Sequence, residues 1–206
     1  MGSRYARRMI GIIVVNFFFI GASLSEVTRN ASAAEDASHQ WATPIEREGL
    51  PNLHKVSDDY YRGAQPTAEG MQELKKMGIK TVINLRAFHS DRDELGDLDL
   101  AYEHIPMVAW HPEEEDIIRF LKIVTDQKRT PVFVHCQHGA DRTGVMSAIY
   151  RIVVEDWTKE EAIKEMTEGG FGFHKIWKNL ITFVENLDIE AIKKQAGIAE
   201  QTTQAQ

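Results

Sequence analysis

The sequence predicts an α/β fold: a central, mostly parallel sheet flanked by helices. Two observations carry that expectation. Short β-branched runs at residues 79–85 and 131–135 have the unbroken apolar character of strands buried on both faces. Segments with helical period and recognisable caps lie between and after them, and strands alternating with helices pack as layers around a parallel sheet. The composition fits a globular chain. Of 206 residues 27% are charged and 43% hydrophobic, and the length suffices for a buried core without disulfides or metal staples.

Residues 1–34 hold Arg4, Arg7, Arg8 and Arg29 against Glu26, a net charge of +3, and an apolar run from Met9 to Leu24 follows the first three arginines. Small residues at Ala31, Ser32, Ala33 and Ala34 complete the pattern of a secretory signal, with an uncleaved N-terminal anchor as the alternative. Both place the working domain outside the cytoplasm: periplasmic or otherwise exported, with any membrane contact confined to this segment.

Residues 35–58 are polar and mixed, contain Trp41, Pro44 and Pro51, and read as a loosely ordered lead-in. The main domain is expected over 59–196, with a flexible tail at 197–206. Within it, 60–62 is a short strand. A helix follows from Pro66 to Met77 with Thr67 as N-cap and Gly78 as C-cap. Residues 79–85 form a strand, 86–101 a charged loop and 102–108 another strand. A helix over 113–126 carries acids in its first turn, where the helix dipole favours them. Residues 131–135 are a third strand and 144–155 an apolar helix buried on nearly all sides. Thr158 and Glu161 make a capping box for the next helix, which stops at Gly169 and Gly170. Residues 176–187 form an amphipathic helix with Ile176, Leu180, Phe183, Val184 and Leu187 on its apolar face.

Charge and cysteine content narrow the chemistry. The net charge of -7 averages the +3 leader with a remainder of 20 basic and 30 acidic residues, or -10. An acidic domain argues against nucleic acid as partner, because phosphate backbones demand clustered Lys and Arg. The single cysteine, Cys136, excludes internal disulfides and multi-cysteine metal centres.

That cysteine lies in the informative segment, which runs Val134-His135-Cys136-Gln137-His138-Gly139-Ala140-Asp141-Arg142-Thr143-Gly144. It joins an apolar strand to a helix, at the sheet edge where α/β proteins bind ligands. Gly139 lets the backbone turn its N–H groups inward around a tetrahedral anion, and the helix that follows offers its positive end. A thiol placed there is stabilised as thiolate. Arg142 supplies a planar fork for two phosphate oxygens. Thr143 can donate its hydroxyl to the sulfur. Cys136 and Arg142 are the predicted catalytic residues; Gln137, His138, Gly139, Ala140, Asp141 and Thr143 are the predicted substrate-binding ones. The inferred reaction is attack by Cys136 on a phosphate monoester, followed by hydrolysis of the phosphocysteine, with no metal or cofactor.

This motif resembles the cysteine-dependent, dual-specificity-like protein tyrosine phosphatases, and the stretch from Cys136 to Gly172 is similar to bacterial periplasmic members. Residues 61–66 and the strand ending at Arg86 resemble the early part of that domain. The resemblance spans residues 60–187 and implies a dual-specificity phosphatase-like fold with a phosphorylated protein as partner. It implies phosphotyrosine as substrate, with phosphoserine/threonine behind it. Phosphoinositides, small phosphate esters, a rhodanese-like persulfide enzyme and a non-catalytic phosphate-binding module are the alternatives.

The sequence departs from the family in one respect. The aspartate that usually protonates the leaving oxygen has no counterpart in the early part of 106–116. Asp116 is the first choice for that role, with Glu115 and Asp141 beside it and Glu113, Glu114 and His111 as further options.

Overall fold

The computed structural model describes residues 39–198, so the expected signal or anchor at 1–34 lies outside the described residues, as does the tail beyond 198. The chain divides after His39, and every described element belongs to the unit Gln40–Gln206. Six strands form one sheet: β1 (Thr43–Pro44), β2 (His54–Lys55), β3 (Tyr60–Gly63), β4 (Thr81–Asn84), β5 (Ala101–His104) and β6 (Val132–His135). Their order is β1-β2-β3-β6-β4-β5. The pairings β3–β6, β6–β4 and β4–β5 are parallel; β1–β2 and β2–β3 are antiparallel. The expected mostly parallel sheet is present, with a small antiparallel extension at one edge.

Alternation along the central strands places the core on both faces. Val132 and Val134 point to one side with Ile83 and Tyr60, where α3 (Glu114–Val124), α4 (Asp141–Val154), α5 (Lys159–Glu168), α6 (Lys178–Asn186) and α7 (Ile189–Ala196) cover them. Phe133 and Val82 point to the other side, covered by α1 (Ala68–Lys76), α2 (Arg92–Leu95) and the segment holding Leu50 and Leu53. β6 is therefore the middle of a three-layer stack, and its four residues are all buried. α4 follows it directly; every residue of that helix except Arg142 and Val154 is buried.

Caps fall where the residue types put them. Thr67 accepts from the Gly70 amide and starts α1. Thr158 and Glu161 form the reciprocal capping box of α5. Gly197, at φ 75°, closes α7 in the left-handed conformation.

Five expectations need correction. The lead-in is ordered from Thr43 onward: β1 and β2 extend the sheet, and Leu50 and Leu53 are buried under α1. No periodicity signalled this, because two-residue strands are too short to show one. The charged loop 86–101 contains α2, held by buried Leu95. α4 starts at Asp141 rather than Gly144, which places Arg142 and Thr143 on its first turn. α6 begins at Lys178, leaving Ile176 exposed, and α7 is a further helix over residues left without an element.

Arg151 and Glu165 tie this framework together. The guanidinium meets the carboxylate side on, Nε to Oε2 and Nη2 to Oε1 both at 2.8 Å, with each side chain nearly fully buried. Glu165 Oε1 also accepts from the Ala42 amide, and Arg151 donates to the carbonyls of Gln40 and Val56. Without Glu165 the buried guanidinium keeps only the partly exposed Glu155 as counter-ion and loses two hydrogen bonds. Glu165→Ala is expected to cost about 3 kcal/mol and lower Tm by about 6–12 °C for a domain of this size. An unchanged urea midpoint in that variant would mean the pair is neutral to stability.

Candidate active site

The stretch between β6 and α4 turns back on itself, and Gly139 explains how. Its φ is +69°, and a Cβ there would come within 2.5 Å of the Gly63 carbonyl group at the end of β3. Only glycine fits both the conformation and the space. The adjoining carbonyls are each held from behind. Gln65 N donates to Gln137 O at 3.3 Å, Asn52 Nδ2 to His138 O at 2.9 Å and Arg62 Nη2 to Gly139 O at 2.8 Å. With three successive carbonyls drawn outward, the N–H groups of the same peptides are left to face the anion. Arg62 is buried at 1% exposure, lies over the Phe171 ring at 3.7 Å, and burial lowers its pKa to about 10.

Cys136 sits beneath this cradle at 2% exposure. Burial alone opposes a thiolate. Hydrogen bonds from the Thr143 hydroxyl and amide, the Arg142 charge and the His138 amide outweigh it, and the thiol is held below its usual range. The Thr143 hydroxyl is buried with no hydrogen-bond partner among the described residues, which leaves it free to turn to the sulfur. Arg142 reaches forward from the first turn of α4, its Nη1 3.4 Å from the carbonyls of both Leu85 and Met107.

A cavity of about 270 Å³ opens onto this loop. Arg86, Arg142 and Gln137 supply its polar side, and Phe88, Met107, Trp110 and Trp177 its apolar walls. Phe88 is 90% exposed and Trp110 65%, so both aromatic faces stand free at the rim.

The candidate acids lie elsewhere, and the cavity lining contains no carboxylate. Asp116 is half-buried in the first turn of α3, where burial, then Glu113 and Glu115, push its carboxyl above the usual range. Glu114 faces a separate groove with Asn179 and Phe183. Glu115 is exposed on the same helix turn. His111 lies 3.7 Å from Glu113 on an exposed turn. Asp141 is bound to His174: Oδ1 accepts from its amide at 2.9 Å, and Oδ2 lies 2.8 Å from its Nδ1. Asp141 thereby fastens the glycine-rich segment after α5 to the start of α4. His138 keeps an exposed ring 5.6 Å from that of His174.

Sequence reasoning missed Asn52, Arg62, Gln65 and Asp91. Asp91 is wholly buried and bonded to the equally buried His135, with Nε2 to Oδ2 at 2.7 Å. A carboxylate only accepts, so Nε2 is the protonated nitrogen. Distance along the chain hid these residues, although the Pro-Asn pair at 51–52 is a local turn signal.

Comparison with known proteins agrees with this geometry. A family model described as a DSP-PTPase phosphatase fused to NAD+ kinase matches residues 46–182. The dual specificity protein phosphatase TpbA of Pseudomonas aeruginosa is 29% identical over 187 residues, covering 90% of this chain and 83% of TpbA. Its crystal structure superposes with a TM-score of 0.69 over 79% of this chain and 99% of that one; a cysteine-to-serine variant in complex with pTyr gives 0.70. The catalytic core of a PP-IP phosphatase from S. cerevisiae, 19% identical with a TM-score of 0.64 over 74% of this chain and 94% of that one, shares the fold.

The thiolate balance is directly testable. Thr143→Ala removes a donor to the sulfur and no acceptor, so the thiol pKa should rise. Cys136 is the only cysteine. The pH dependence of iodoacetate labelling therefore reports this site alone, and its midpoint is expected to move upward. A midpoint that stays put or falls would show that the hydroxyl does not support the thiolate.

Proposed function

The chain belongs to the DSP-PTPase family of cysteine-dependent phosphatases, and on that premise we propose that it dephosphorylates phosphotyrosine in proteins through a phosphocysteine. The observation that carries the reading is Cys136, a buried thiol held toward thiolate beneath a loop whose carbonyls at 137, 138 and 139 are drawn outward. Its sulfur attacks phosphorus in line with the ester oxygen. Arg142 and the loop amides take up the charge of the transferring group as the S–P bond forms and the P–O bond breaks. Water then cleaves the S–P bond and returns the thiolate, with Thr143 available to stabilise it as leaving group.

The shape of the cavity supports an aromatic ester. Phe88, Trp110 and Trp177 flank an opening whose cations are Arg86 and Arg142, so a phenyl ring can stack while its phosphate reaches the loop. TpbA, whose variant is described in complex with pTyr, supports the same substrate. Polyanionic inositols are the second reading, but two arginines among apolar walls suit one phosphate better than several.

With no carboxylate on the cavity wall, protonation by Asp116, Glu115 or Asp141 requires rearrangement around 106–113 or at His174. A phenolate, which departs with little help, is the leaving group that asks least of such a donor. We further propose that the enzyme works outside the cytoplasm, a reading supported by the composition of residues 1–34. Among the described residues, no helix is long and apolar enough to cross a membrane.

The decisive assay is release of p-nitrophenol from p-nitrophenyl phosphate. Turnover should be blocked by vanadate, absent in Cys136→Ser, and reduced about 100-fold in Arg142→Lys, which loses the planar fork. Sustained turnover by Cys136→Ser would overturn the mechanism. Rates should also fall steeply as the leaving group becomes more basic, with alkyl phosphates at least about 100-fold slower than aryl ones. Equal rates for the two classes would show that a proton donor operates within the site.

A further inference from the structure

Asp91 does not line the cavity, yet its carboxylate accepts from three different residues. Both it and His135 are wholly buried. Oδ2 accepts from His135 Nε2 at 2.7 Å; Oδ1 accepts from Gln65 Nε2 at 2.9 Å and Asn84 Nδ2 at 3.0 Å. The Asp91 amide donates to the Tyr102 hydroxyl, which also receives a bond from Asn84. His89 Nε2, itself beside Glu94, is the other titratable group nearby, 3.6 Å from Oδ1. Burial works against the charge on Asp91, but the hydrogen bonds from His135 and Gln65 and the electrostatics of the two neighbouring imidazoles hold its carboxyl below the usual range.

Two arms lead from this carboxylate to the reacting centre. The first is covalent: His135 precedes Cys136, so fixing its ring fixes the strand end that bears the nucleophile. The second runs through Gln65. Because Asp91 only accepts, Gln65 must turn its NH2 toward it, and its carbonyl oxygen is then aimed outward. That oxygen accepts from Arg86 Nη1 at 2.9 Å, and Arg86 lines the cavity.

We infer that Asp91 is a positioning residue for both ends of the reaction, setting Cys136 through His135 and the Arg86 guanidinium through the enforced orientation of Gln65. This role rests on the phosphatase reading of the same site. An asparagine at 91 has one acceptor oxygen for the three donors that converge there. With that oxygen kept by His135, the asparagine NH2 faces Gln65, which is then satisfied only by flipping its amide; the flip presents NH2 to Arg86 and drives the guanidinium from the wall.

The test uses p-nitrophenyl phosphate with purified Asp91→Asn, Gln65→Leu, Arg86→Ala and the double variant Asp91→Asn/Arg86→Ala. Asp91→Asn should lower kcat by about 10–100-fold, the scale of a small misplacement of reacting groups, and raise KM several-fold. Gln65→Leu cuts only the second arm: KM should rise to a similar extent, with kcat falling far less. In the double variant KM should be no higher than in Arg86→Ala alone, because the second arm ends at Arg86. A folded Asp91→Asn protein with kcat and KM within twofold of wild type overturns the inference, as does full additivity of the two KM effects. Should Asp91→Asn fail to fold, Gln65→Leu leaves the buried pair intact, and an unchanged KM there refutes the relay to Arg86. Failure of the phosphatase reading is distinguishable, since it appears in the wild-type comparison itself, as absent turnover or as turnover that survives in Cys136→Ser.

Discussion

The active loop depends on one constraint: the carbonyls of Gln137, His138 and Gly139 have to face away from the anion they surround. A peptide turned the other way would present an oxygen to a phosphate. The donors that prevent this come from behind the loop, from Asn52, Arg62 and the Gln65 amide. Arg62 shows how much the fold invests in the arrangement, since a guanidinium buried to 1% gives up its hydration. It recovers part of that cost from the Gly139 carbonyl and from the face of Phe171. Asn52 spans two segments, donating to both His138 O and Phe171 O, so the antiparallel edge of the sheet becomes the rear wall of the site.

The sulfur benefits from the same geometry. Burial would keep Cys136 protonated, and the loop amides, the Thr143 hydroxyl and Arg142 together reverse that preference. Arg142 and Thr143 lie on the first turn of α4, where the helix dipole adds in the same sense. Asp141 shares this turn, but His174 engages its carboxylate, so its negative charge is committed to holding the segment after α5 in place. The helix itself is anchored in the core by an almost fully buried surface, which keeps its first turn from drifting.

The cavity in front of the loop is where this protein diverges from the general phosphatase pattern. Its walls are aromatic and its charge is cationic, whereas the acidic residues of 113–116 are spent on the α3 turn and on a neighbouring groove. The opening sets Arg86 and Arg142 side by side in a chain that is acidic overall.

The sequence by itself determined what neighbouring residues decide. The strands about Ile83 and Val134, the capping box at Thr158 and the turn from strand to helix after Cys136 were legible because period, caps and motif are local. The short edge strands, the early start of α4 and the helix at Ile189–Ala196 were not, since packing against the sheet overrides weak local preference in so few residues. The supports of the site were also beyond local reading. Asn52 meets His138 across 86 residues, Arg62 meets Gly139 across 77, and Asp91 meets His135 across 44. Only the order of strands, with β6 set between β3 and β4, brings those donors and acceptors together. Hydrogen bonding is a matter of a few ångströms in space, and the tertiary fold alone decides which distant residues come within them.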